Sequence, residues 1–120
     1  MKRILVVDDS SLLRQAVVTC LVGSGYEVTE AKDGVEALGL AIKSQFDAVI
    51  SDNYMPFMEG VQLVEALREL VNYQTIPILI LSTEAKADVK RKGRDVGVTG
   101  WIQKPFNAVV LLFKLERLLS

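Results

Sequence analysis

Short apolar runs rich in β-branched residues alternate along this chain with segments whose apolar residues recur at helical spacing. The runs Arg3–Val7, Tyr26–Glu30, Asp47–Ser51, Ile76–Ser82 and Thr99–Gln103 predict five strands. Between and after them, Ser11–Val22, Val35–Ile42, Val61–Val71, Ala87–Val96 and Ala108–Leu119 predict five helices. In the first helix Leu12, Leu13, Ala16, Val17, Cys20 and Leu21 are expected to share the core face, with Gly23 and Gly25 as the stop. In the last helix Ala108, Leu111, Leu112, Leu115, Leu118 and Leu119 form the expected inward stripe, which leaves Val109, Val110 and Phe113 outside. Gly93 falls inside the fourth helix, where glycine costs roughly 1 kcal/mol relative to alanine. It marks either a weak element or a close approach by a neighbour.

Strict strand–helix alternation demands a parallel sheet, because parallel neighbours need a crossover and a helix is the usual one. Right-handed connections then place helices on both faces, giving a three-layer α/β sandwich. The 120 residues fit one domain, 1–120, without an internal repeat or low-complexity linker. Half of the residues are hydrophobic, enough to build a core rather than a disordered segment.

The formal net charge of −1, from 14 basic and 15 acidic side chains, argues against general nucleic-acid or anionic-membrane binding. The one cysteine, Cys20, has no partner for an internal disulfide. Met1-Lys2-Arg3 leads into four apolar residues before two aspartates, too few for a signal peptide or membrane span. The expected location is the cytoplasm.

In a parallel sheet the functional crevice lies beyond the carboxyl ends of the strands. The first strand ends in Asp8-Asp9, the third in Asp52, the fourth in Ser82-Thr83 and the fifth in Lys104-Pro105. Taken singly, these residues read as a helix cap, a turn and a solvated charge. Their convergence on one rim is far more specific. Two unit charges about 4 Å apart repel by roughly 4 kcal/mol at an effective dielectric near 20, so three clustered aspartates call for a cation. Hard oxygen donors, with no histidine in the chain, favour magnesium over zinc. With Asp8 and Asp9 on the metal, Asp52 is free to attack phosphorus, while Lys104 and Ser82 meet phosphoryl oxygens.

The motifs ILVVDDS at Ile4–Ser10, SDNYMPFMEG at Ser51–Gly60, LSTEA at Leu81–Ala85 and GWIQKPF at Gly100–Phe106 occur in order. On these four motifs the chain resembles the receiver domains of bacterial two-component response regulators, of the single-domain chemotaxis type. The resemblance implies a flavodoxin-like sheet of order 2-1-3-4-5. It implies Asp52 as phosphoacceptor, and Asp8, Asp9, Asp52 and the backbone carbonyl of Tyr54 as magnesium ligands, with Asp9 binding directly. Ser82 matches the switch hydroxyl, Lys104 the phosphate-facing lysine, Trp101 the switch aromatic, and Pro105 a proline after a cis bond. Tyr54 stands where asparagine is frequent in such proteins. It and Glu84 are expected to flank the path of water and to tune phosphoryl loss.

The expected function is that of a signalling module, catalysing only its own phosphorylation and dephosphorylation. A histidine kinase would donate the phosphoryl group and a target protein would read the surface of helix 4, strand 5 and helix 5. That surface combines the outward residues of the last helix with Lys86, Lys90, Arg91, Lys92 and Arg94, and also suits a second copy of the chain on phosphorylation. An alternative is a phosphorelay intermediate that passes the group to a histidine phosphotransfer protein. A remote alternative is an aspartate-nucleophile phosphatase, whose Asp-x-Asp signature is here Asp8-Asp9-Ser10.

Overall fold

A computed structural model of the chain describes residues 1–83 and 87–120. Strands β1 (Arg3–Val7), β2 (Glu27–Ala31), β3 (Ala48–Asp52), β4 (Ile78–Ser82) and β5 (Gly100–Gln103) form one parallel sheet of order β2-β1-β3-β4-β5. Helices α1 (Ser11–Gly23), α2 (Gly34–Lys43), α3 (Gly60–Arg68), α4 (Ala87–Val96) and α5 (Ala108–Leu119) complete the βα units.

Successive strand residues point to opposite faces, so the apolar runs feed two cores. Leu5, Val7, Val49, Ile78 and Ile80 pack with Ala37 and Ala41 of α2 and Leu63, Val64 and Leu67 of α3. Ile4, Val6, Ile50, Leu79 and Leu81 pack with Val17 and Leu21 of α1 and Leu111 and Leu115 of α5. Strands β3 and β4 are buried along their whole length, as unbroken apolar runs in a parallel sheet require. The edges differ: β2 carries exposed Glu27 and Glu30, charges that blunt pairing with another chain.

The sheet order matches expectation, and α4 and α5 have the expected bounds. Strand β4 starts at Ile78 instead of Ile76, because Pro77 has no N–H for the ladder and contributes only its carbonyl, which accepts from Val49 N at 3.0 Å. Helix α3 ends at Arg68 instead of Val71. The Arg68 guanidinium turns back to donate to the carbonyls of Tyr73, Ile76 and Gly97, and the chain passes into a single 3-10 turn, Val71–Tyr73. Tyr73 is buried there, its hydroxyl bonded to the carbonyls of Ala41 and Ser44.

The expected core face of α1 needs correction: Leu12, Leu13 and Ala16 are exposed, and the buried pair is Val17 and Leu21, flanked by half-buried Val18 and Cys20. At 3.6 residues per turn Leu12 lies about 160° from the midline of Val17 and Leu21, so apolar character there does not mark the core side. In α5 Leu111 and Leu115 are buried, Leu112 and Leu119 are half-buried, and Ala108 and Leu118 are exposed despite favourable angles. A helix of 12 residues spans about 18 Å, against about 13 Å for a strand of four, so its end turns overhang β5. Gly93 is a close approach: a Cβ there would lie 2.6 Å from Cζ2 of Trp101.

Candidate functional site

Asp8 follows the last residue of β1, and its N–H still donates to Ala31 O at 3.1 Å, extending the strand alignment into the turn. The Ser10 N–H donates to Asp8 Oδ1 at 3.0 Å, which fixes the carboxylate. Ser10 caps α1, its hydroxyl accepting from Leu13 N at 3.3 Å, so neither aspartate is spent on capping. Arg14, one turn into α1, donates to the Asp8 carbonyl at 2.6 Å and to Glu30 at 2.8 Å, tying the turn to β2.

Asp52 is the last residue of β3 and is buried. Gly60 opens α3 directly behind it: a Cβ at position 60 would lie 2.5 Å from the Asp52 carbonyl oxygen, so only glycine admits the helix so close. Lys104 follows β5, held by donation from its N–H to Ser82 O at 2.9 Å. Its Nζ lies 2.6 Å from Asp52 Oδ1 and 3.9 Å from Asp8 Oδ2. Lys104-Pro105 is a cis peptide.

One carboxylate oxygen from each of Asp8, Asp9 and Asp52 can be chosen so that all three lie within 4.8 Å of one another. Asp9 is exposed, whereas Asp8 and Asp52 are buried. Burial pushes the Asp8 carboxyl above its ordinary range; the Ser10 N–H opposes this, the Asp52 charge adds to it, and Lys104 relieves part. Among the described residues three carboxylates face one ammonium, and the imbalance matches what a hard divalent cation neutralises. The donor set is entirely oxygen, and the residues therefore fit magnesium.

Ser82 closes β4 with its Oγ buried and, among the described residues, without a hydrogen-bond partner; Asn53 Oδ1 is in the same condition. A buried orphan acceptor or donor costs about 1–3 kcal/mol and is tolerated where another group is to be met. Ser82 and Trp101 share one sheet face, since Ile80 pairs with Trp101 and Ser82 with Gln103. Both line a cleft of about 520 Å³ with Thr83, Lys90, Val110 and Lys114. The half-buried Trp101 packs against the α2–α3 core, and Lys114 donates to its carbonyl at 3.1 Å.

The structure thus brings together Asp8, Asp9, Asp52 and Lys104, with Ser82 joined to Lys104 through its backbone carbonyl. Tyr54 is 52% exposed beside them. Glu84 lies outside the described residues, as do Ala85 and Lys86. The sequence reading missed Asn53 and Arg14. Asn53 looks like an ordinary turn residue, and the partners of Arg14 are the Asp8 carbonyl just after β1 and Glu30 of β2, out of reach of local pattern.

A parallel sheet of this order, with an acidic cluster and a lysine at its carboxyl rim, defines the receiver class of signalling domain. Residues 4–116 match the response regulator receiver domain family, and the chain belongs to that family. It is 38% identical over 117 residues to the chemotaxis protein CheY-3 of Vibrio cholerae, covering 97% of this chain and 90% of that protein. It is 37% identical to the chemotaxis protein CheY of Pseudomonas aeruginosa, covering 97% and 94%. The crystallised chemotaxis protein CheY4 of Vibrio cholerae superposes with a TM-score of 0.95 at 48% identity, over 99% of both chains. The receiver domain of the sensor histidine kinase PA1611 of Pseudomonas aeruginosa, 26% identical with a TM-score of 0.90 over 98% and 97%, has a magnesium ion coordinated in its active-site cleft. The family is one of signalling modules. Among the described residues no helix is long and apolar enough to cross a membrane.

Proposed function

We propose that residues 1–120 are a single, stand-alone response regulator of the cytoplasm. It accepts a phosphoryl group on Asp52 from a histidine kinase in a chemotaxis or related two-component pathway. The observation that carries this reading is the 2.6 Å contact between Lys104 Nζ and Asp52 Oδ1, set against the clustered carboxylates of Asp8 and Asp9. Asp8, Asp9, Asp52 and the Tyr54 carbonyl would hold magnesium, which supplies charge neutralisation for the phosphoryl oxygens.

A carboxylate oxygen of Asp52 attacks phosphorus in line. The O–P bond forms as the bond from phosphorus to the donor nitrogen breaks, and the leaving imidazole retains the electron pair. Lys104 then turns from the carboxylate to a phosphoryl oxygen, and the unpartnered Ser82 hydroxyl donates to another. Movement of Ser82 opens room beside Trp101 in their common cleft, and the indole carries the change to α4, β5 and α5. There Val110 shares the cleft with Lys90, and Val109 and Phe113 are exposed on the same helix, a surface for a downstream target or a second copy of the chain. Hydrolysis of the acyl phosphate by water returns the carboxylate, with Tyr54 and Glu84 setting its rate.

The test is incubation with acetyl phosphate and magnesium, followed by trapping and mapping of the acyl phosphate. Label at Asp52, absent from Asp52→Asn, is the expected result; label elsewhere refutes the assignment.

A further inference from the structure

The loop from β3 to α3 begins one residue after Asp52 and is closed at its base by donation from Gly60 N to Asn53 O at 2.8 Å. Met55 points inward and is buried, its Sδ 3.8 Å from Ser51 Oγ. The rest turns outward: Tyr54 and Pro56 are exposed, and Phe57 is 87% exposed. No charged residue lies between Asn53 and Met58. Phe57 is also the one non-glycine residue with positive φ among the described residues, at 70°. The Met58 N–H donates across it to Pro56 O at 2.8 Å, closing a three-residue turn of the rare, strained kind.

Phe57 is thus unfavourable twice in the free protein. Glycine would relieve the backbone, and a polar side chain would suit the exposure. A strained turn that holds an aromatic ring in water, on the loop leading out of Asp52, is compensated when a partner covers the ring. Phosphoryl transfer to Asp52 requires a donor to approach this mouth, and a protein donor brings its own surface over the flanking loop. Resting on the phosphoacceptor reading above, we propose that Phe57 is a specificity-determining anchor, buried by an uncharged apolar surface around the donor protein's phosphorylated side chain. A small phosphodonor does not reach it.

The experiment compares the parent with Phe57→Gly, which keeps the left-handed backbone and removes the ring, and Phe57→Tyr, which keeps a ring. Each is phosphorylated by acetyl phosphate and by the purified, autophosphorylated histidine kinases encoded in the same genome, using the kinase fastest on the parent. Phe57→Gly should melt no lower than the parent and accept from acetyl phosphate within about twofold, while transfer from the kinase falls about tenfold or more. Phe57→Tyr should retain kinase transfer. Equal kinase transfer to Phe57→Gly overturns the proposal. So does a parallel loss with acetyl phosphate, which would mean the loop only shapes the site. Loss confined to downstream association assigns the ring to a target and also overturns it, as does a parent that no kinase phosphorylates although acetyl phosphate does. Failure of acetyl phosphate to label Asp52 of the parent would instead refute the phosphoacceptor reading.

Discussion

Strand β4 and strand β5 are neighbours in one sheet and are built very differently. Every residue of β4 is buried, whereas β5 buries Ile102 alone, and α4, the helix before it, buries only Gly93. The carboxylates Asp8 and Asp52 stand at the ends of β1 and β3, in the well-packed half. Trp101 and α4 belong to the sparsely packed half. Local opening draws on regions with few buried apolar contacts, so the division sets a rigid rim that carries the carboxylates against a half that opens at small cost. Lys104 joins the two, since β5 supplies it and Asp52 binds it.

The largest test of this division is core truncation. Ile50→Ala should destabilise by about 2–5 kcal/mol, whereas Leu118→Ala, at the exposed end of α5, should cost less than about 1 kcal/mol, both read from urea unfolding. Comparable losses would erase the contrast. Magnesium comes next: at one hundred times its dissociation constant a ligand of the folded state adds about 2.7 kcal/mol, seen as a raised melting temperature. Asp9→Ala should remove most of that rise while leaving the metal-free melting point near the parent's, because Asp9 is exposed.

Gly93→Ala should have a smaller net effect, because alanine favours the helix by roughly 1 kcal/mol while its Cβ collides with the indole at a cost of about 1–3 kcal/mol. We expect a net loss of about 1 kcal/mol with a shifted Trp101 emission. Unchanged emission would show that α4 yields and the indole does not. The smallest effect concerns pH in metal-free protein. Burial raises the Asp8 carboxyl above 3.8 in the folded state, so that state binds this proton more tightly than the unfolded chain does. Stability from this group is therefore highest below pH 3.8 and falls as pH rises through the raised value. Asp8→Asn should lose that slope, measured as the difference in melting temperature between variant and parent across the window.

The layered fold was legible because short β-branched runs alternating with helical periods leave few topologies, and the residues at and after the strand ends, Asp8, Asp9, Asp52, Ser82 and Lys104, can then be read as one rim. The inward face of α1 was not legible. Apolar residues occupy most of its circumference, so Leu12 and Val17 look alike until a sheet is placed beneath one of them. The end of α3 was hidden for a related reason: Leu70 and Val71 continue the apolar pattern, and what stops the helix is Arg68 reaching the carbonyls of Tyr73 and Ile76 and that of Gly97, 29 residues away. Asn53 and Arg14 escaped because their roles lie in contacts between strands and turns remote in sequence.

Arg68 also fixes where the sparsely packed half can bend. Its guanidinium clasps the Gly97 carbonyl, at 3.1 Å from Nε and 2.8 Å from Nη2, immediately after α4 and at the end of the sheet opposite the acidic rim. Gly97 itself has φ +101°, a conformation that glycine adopts without strain. Pinned there, the helix has its fulcrum at Gly97, at the end of the sheet away from Asp52. A tilt of about 10° about that fulcrum displaces the Ala87 end by roughly 2.5 Å while the Val96 end stays in place. In the proposed switch, mechanical advantage of this sort would turn a local repacking at Ser82 into a reshaped surface without loosening the sheet.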